Sequence, residues 1–217
     1  MKSFIYILLT SLTFLVVGCQ NESEEIRLIN QAERLFDAYP DSVITTLDSI
    51  PLPEEMSPRL IARWCMLYAR AADKIEDEMP YTNQLEIALK YYQKKKMREE
   101  EAEIGLYLGR SYVEDKEYEK AMRTYSDALK VALAIKDYNR AGYICSYMGD
   151  LYEVDLRYIL AAEKYKESGK YFHLANNTTS YVRAFVNEGR SYMSVDSNYL
   201  ALASLKQAEV IMDSLNV

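Results

Sequence analysis

Apolar residues recur along most of this chain every three or four positions, with polar residues in the intervals. Ile26, Ile29, Leu35 and Phe36 make one such stripe, and Val43, Ile44, Leu47 and Ile50 make a second. That spacing puts side chains on one face of a helix; a strand would alternate them. The first stripe predicts a helix running to Tyr39 and stopped by Pro40. Asp41 or Ser42 is then placed to cap a shorter second helix, and Pro51-Leu52-Pro53 breaks the chain again. At Ser57-Pro58 the hydroxyl is an N-cap and the proline sits in the first turn of a third helix. Only 7 glycines and 5 prolines interrupt the 217 residues. With no run of alternating β-branched residues, the expected fold class is all-α.

Beyond residue 57 the stripes themselves repeat. Gly109, Gly149 and Gly189 stand 40 residues apart, and each is followed three residues later by a tyrosine: Tyr112, Tyr152, Tyr192. Ala121, Ala161 and Ala201 keep the same interval, as do Tyr125, Tyr165 and Leu205, and Ala128, Ser168 and Ala208. A fixed period of this size means stacked structural units. The frame gives units at about 57–97, 98–137, 138–177 and 178–217, preceded by a helical pair at 26–56. The first unit is degenerate, with Ala69 and Ala72 in place of the glycine and tyrosine. Each unit reads as two helices. The glycine or alanine lets the second approach the first closely, and the tyrosine fills the space beyond. Asp115, Asp155 and Asp196 fall near the turn inside a unit, while Asp137 and Asn177 fall where the next unit should be capped. Lys94-Lys95-Lys96 before Glu99-Glu100-Glu101 fits a solvated junction, with cations ending one helix and anions starting the next.

This pattern of small residue, tyrosine and later alanines resembles the tetratricopeptide repeat, over about Arg59 to Leu215. The resemblance implies an α-α superhelix of antiparallel helix pairs and an interaction module with no chemistry of its own. Two departures stand out. The period is 40 rather than 34, which requires longer helices or turns. The proline that ends the family's second helix is also missing, with Leu133 at that place in the second unit.

The start of the chain carries a different signal. Met1-Lys2-Ser3 is a short positive start, Phe4 to Val17 is an apolar run, and Val16-Val17-Gly18-Cys19 follows. The run is too short for an ordinary membrane span and reads as a secretory signal. Its end resembles the bacterial lipobox, which implies cleavage before Cys19 and acylation of that cysteine. Residues 1–18 are then a signal peptide, 19–25 a lipid-anchored tether, and the mature protein a lipoprotein of the bacterial cell envelope, expected at the outer membrane. The formal charge of −7 argues against a nucleic-acid partner and against adsorption to anionic lipid. Cys65 and Cys145 are two periods apart, which separates them by roughly 20 Å at about 8–10 Å per packed helix. That is beyond the ~7 Å reach of a disulfide, so both are expected to be buried free thiols.

The first helix of each unit should line the concave face of such a stack. Positions −6, −2 and +1 from the glycine share that face by helical spacing. They select Arg63, Arg70, Tyr107, Arg110, Tyr143, Tyr147, Asp150, Arg183, Asn187 and Arg190 as candidate partner-binding residues. Arginine and tyrosine are over-represented at binding hot spots, and a row of arginines suits an acidic peptide. The competing expectation is that Arg110 and Arg190 pair with Glu103, Asp150 or Glu114 and merely knit the units together. The family's carboxylate clamp is not reproduced, since Met66, Arg70 and Tyr107 stand at its positions.

Catalytic chemistry is not in view. His173 is the only histidine, no nucleophile has a sequence-evident base, and no glycine-rich phosphate loop occurs, so no enzyme, metal or cofactor is expected. The last helix is apolar around much of its circumference (Leu200, Leu202, Leu205, Val210, Ile211, Leu215), although solenoids normally end in a polar cap. That face suits a homodimer or a docking partner. The expected function is a protein- or peptide-binding scaffold, with a glycan-binding lipoprotein or the sensor portion of a split regulatory system as alternatives.

Overall fold

The computed structural model describes residues 23–50 and 55–215, which form ten helices: α1 (Glu24–Leu35), α2 (Pro40–Asp48), α3 (Pro58–Ile75), α4 (Thr82–Lys95), α5 (Arg98–Glu114), α6 (Tyr118–Ala134), α7 (Tyr138–Val154), α8 (Tyr158–Leu174), α9 (Thr178–Met193) and α10 (Asn198–Leu215). No strand occurs among the described residues. The expected signal peptide, Cys19 and Pro51-Leu52-Pro53 lie outside them. Each helix packs on its neighbours in the chain, and the first helices of successive units also touch, α1 with α3, α3 with α5 and α5 with α7. The first helices therefore form the inner layer of a continuous stack.

The sequence expectation needs correcting around Pro40. The first helix ends at Leu35, and Pro40 opens α2 with Tyr39 as its N-cap; neither Asp41 nor Ser42 caps it. A proline has no N–H to lose at the first helical position and its φ is already helical, so it starts this helix more readily than it stops the one before. Asp41 sits in the first turn instead, where its charge suits the helix dipole. Ser57 caps α3 by accepting from the Leu60 N–H at 3.4 Å. Asp137 and Asn177 cap α7 and α9 in the same way, at 2.9 Å and 3.1 Å.

The 40-residue period is two half-periods of 20. Glu76, Lys96, Lys116, Lys136, Leu156, Asn176 and Asp196 all adopt left-handed backbone conformations, with φ between 55° and 61°. Each of the seven helices from α3 to α9 closes with an N–H reaching back five residues. Examples are Glu117 to Tyr112 at 2.8 Å, Asp137 to Ala132 at 2.9 Å and Arg157 to Tyr152 at 2.8 Å. These are Schellman closures, usually built on glycine, and here none of the seven is glycine. From α5 to α9 the connections span only three residues, so the extra length of the period lies in the helices and not in the turns.

The glycines act inside the helices. A Cβ on Gly149 would lie 2.7 Å from the Tyr165 ring, and one on Gly109 would clash with the Cε1–Cδ1 edge of the Tyr125 ring. Both rings are fully buried. The second-helix tyrosine thus lies flat on bare first-helix backbone, and Leu205 takes that place beside Gly189. The +3 tyrosine reaches backwards, with the Tyr112 hydroxyl donating to Glu86 of the preceding unit at 2.6 Å. Cys65 and Cys145 are free and buried, and burial pushes the Cys145 thiol up to about 12. At the end of the stack, Leu202, Val210 and Met212 are 52%, 63% and 50% exposed. One period earlier, the equivalents of Leu202 and Met212 are Ala162 and Phe172, both buried. The apolar face of α10 is uncovered among the described residues.

Candidate functional site

The inner layer carries a groove of about 580 Å³ between α3, α5, α7 and α9. Of the residues singled out by spacing, Tyr107, Arg110, Tyr143, Tyr147 and Arg183 line it. The row does not continue as one surface. Arg63 and Arg70 open onto a second groove of about 430 Å³, with Arg59, Tyr91, Tyr92 and Glu100. Asp150 borders a shallow depression with Tyr125 and Val154, where its carboxylate accepts from the Tyr165 hydroxyl at 2.5 Å. Asn187 is half-buried and lines neither groove.

Most of the arginines are already engaged. Arg70 makes a two-pronged contact with Glu103 at 2.6 Å and 2.7 Å, and Arg140 reaches the same carboxylate at 3.1 Å. Arg110 pairs with Asp73, Arg63 with Glu33 at 2.7 Å and Arg190 with Glu153 at 3.2 Å. Each of these pairs joins successive helical units. The partners differ from the expected Glu103, Asp150 or Glu114 for Arg110 and Arg190, because a guanidinium at +1 reaches back to +4 of the preceding unit. Glu103 is held below the usual carboxylate range: desolvation would raise it, but the hydrogen bond and charge of Arg70, with Arg140 beside it, outweigh that. The Tyr107 hydroxyl also donates to Glu103, at 3.4 Å. Tyr107 is only 6% exposed, so it is more packing than surface.

An arginine-rich groove was expected, and the groove is instead mixed. Asp73, Glu76, Glu103 and Asp137 face Arg110, Arg140 and Arg183. Arg183 is exposed and has no carboxylate partner among the described residues. Tyr143 stands beside it, edge-on to Phe172 with ring centroids 4.9 Å apart and its hydroxyl 3.2 Å from Ser180. On the opposite wall the Arg110 guanidinium lies 5.6 Å from the centroid of Tyr147, which stacks on Tyr125 at 6.0 Å. Spacing missed Arg140, Asp73 and Asn139. Arg140 precedes Tyr143 by three residues and Asp73 follows Arg70 by three, so extending the same face by one turn at each end would have found both. Among the described residues no group of three potential metal ligands occurs, and no helix is long and apolar enough to cross a membrane.

The sequence matches no protein-family model and no curated protein. Solved structures are similar in fold. RapI in its apo form superposes with a TM-score of 0.70 at 13% identity, over 89% of this chain and 72% of that one. BtubC from P. vanneervenii gives 0.60 at 18% identity, over 87% and 74%. A Podosopora anserina chain described as a kinesin light chain, with nearly identical TPR-like repeats, gives 0.62 at 13% identity, over 88% and 95%. At these identities the likeness concerns the fold: the chain folds as a tetratricopeptide-like α-solenoid.

Proposed function

We propose that this protein is a lipid-anchored scaffold of a bacterial cell envelope that holds a protein or peptide segment along its inner face. The observation that carries the binding reading is the groove between α5, α7 and α9, where Arg183 and the exposed Tyr143 are left over after the groove's other arginines, Arg110 and Arg140, have paired. Tyrosine offers a rigid amphipathic face and arginine a planar fork for a carboxylate, so a segment bearing an acidic side chain near an apolar one fits. The anchor rests on Cys19 at the end of the apolar run. The open face of α10 would serve a second copy or a docking protein, which light scattering of the purified protein would reveal.

The test is a photo-reactive residue at position 143, cross-linked in cells, with the attached peptide identified and its affinity measured on purified protein. Arg183→Glu should weaken that peptide about tenfold or more, while Arg190→Glu, at the paired rim, should leave it nearly unchanged. Equal binding by wild type and Arg183→Glu would remove the groove from the reading. Binding of a glycan that is insensitive to salt would replace the peptide reading. Incorporation of labelled fatty acid, lost in Cys19→Ser, tests the anchor separately.

A further inference from the structure

The first unit differs from the others where its two helices join. The connection from α3 to α4 runs over residues 76–81, and it leaves a cleft of about 730 Å³ against the end of α2. Trp64, Tyr68 and Tyr81 give the cleft aromatic walls, and Asp48, Glu78 and Gln84 give it polar ones. The Trp64 Nε1–H donates to the Leu47 carbonyl at 3.1 Å, and its ring meets Tyr68 with centroids 5.0 Å apart. Tyr81 is 76% exposed at the mouth.

The charged groups of this cleft are both carboxylates, with Asn83 and Gln84 as neutral amides beside them. Among the described residues no lysine or arginine lines the cleft, and neither Asp48 nor Glu78 forms an ion pair. Asp77, next along the connection, adds a third carboxylate, whose Oδ1 accepts from the Glu78 N–H at 2.8 Å. Gln84 is only 4% exposed, and its Oε1 is a buried side-chain acceptor with no hydrogen-bond partner. An orphaned buried acceptor costs free energy unless a donor reaches it, so this corner of the cleft floor is under-satisfied. Desolvation raises the Asp48 carboxyl above its usual range and the charge of Asp77 raises it further, with the neighbouring Tyr68 hydroxyl offsetting part of this. A carboxylate so placed gains from an added cation.

We propose that this cleft binds the guanidinium of an arginine side chain presented by a protein partner. The group supplies what the cleft lacks: positive charge and N–H donors for Asp48 and Glu78, and a flat cationic face for the aromatic rings. The site lies on the opposite side of α3 from Arg63 and Arg70, and shares no residue with the groove assigned to the scaffold function. The protein would thus hold a partner at two places of different chemistry.

Trp64 is the only tryptophan, so its fluorescence reports on this cleft alone. The probes are a short acetylated, amidated Gly-Arg-Gly peptide and its citrulline counterpart, which has the same shape without the charge. Free arginine amide separates a small-molecule ligand from a peptide. Saturable quenching or shift with the arginine peptide, absent with citrulline and weakened by salt, is expected. Asp48→Asn and Glu78→Gln should each weaken it roughly tenfold, and Arg183→Glu should not alter it. Both replaced carboxylates are exposed, so these variants should fold. Equal binding of the arginine and citrulline peptides would overturn the assignment. So would undiminished binding in the Asp48→Asn, Glu78→Gln double variant, or the absence of any saturable signal. Tighter binding of free arginine amide than of the peptide would replace the protein partner with a small molecule.

Discussion

The central units and the first unit use the same frame and leave opposite residues unspent. In α5 to α8 the glycine, the flat tyrosine and the three-residue turn recur, and side chains at the seams pair across them: Arg70 and Arg140 with Glu103, Arg110 with Asp73. The first unit has Ala69 and Ala72 at the glycine and tyrosine positions and a longer connection, and its cleft carboxylates have no cation among the described residues. Along the inner face, the first unit's Arg70 and Asp73 included, polar groups find a partner in the next unit. Where the repeat loosens, the neighbour is missing and the groups become available to something else.

The largest effect should come from breaking the frame itself. Gly109→Ala places a methyl against the Cε1–Cδ1 edge of the Tyr125 ring and should destabilise by about 3 kcal/mol, the upper end for overpacking. Denaturant unfolding checks this, and the same experiment on Ala69→Gly should show a smaller loss, about 2 kcal/mol, from helix entropy and the buried methyl it removes. Next comes the seam. Glu103→Gln leaves Arg70 and Arg140 without their shared carboxylate, and should cost about 2 kcal/mol at neutral pH, discounted because Arg70 is partly exposed. The folded value of Glu103 is depressed, so its contribution is present above the unfolded value of about 4.3 and is lost as the pH falls through the folded one. The difference between wild type and variant should therefore shrink on acidification.

Smaller effects sharpen the comparison. Leu156 holds a left-handed conformation at φ 57° while 71% exposed, so Leu156→Asn should stabilise by about 0.5–1 kcal/mol, read as a rise in Tm. Asp48→Asn should go the opposite way to Glu103→Gln. The folded value of Asp48 is raised, so its ionised form disfavours the folded state above that value, and the neutral variant should gain a few tenths of a kcal/mol at pH 7. A loss of stability in Asp48→Asn would mean that the carboxylate is structural and would erase the contrast between seam and cleft.

The period was legible because stacking demands small residues at fixed places. Gly109, Gly149 and Gly189 marked the first helices, and Ala121, Ala161 and Ala201 the second. The caps at Ser57, Asp137 and Asn177 were legible because one short polar side chain serves an exposed N–H locally. The turns inside the units were marked by Asp115, Asp155 and Asp196, but the left-handed closures were not legible, because glycine is the usual signal at a Schellman closure and Lys116, Lys136 and Leu156 fill it here. Helical phase alone found five of the residues lining the central groove, and it put Arg63 and Arg70 on the same face.

The sequence by itself thus determined the helical class, the 40-residue stack and the face on which Arg110, Tyr143 and Arg183 lie, since all three follow from periodicity along one chain. Which of those arginines are paired was decided only in three dimensions, because each ion pair joins residues about 30 to 37 positions apart. The cleft beside Trp64 came from the tertiary structure for the same reason. It is the space left where α2, α3 and an irregular connection fail to close, and no spacing rule describes a gap.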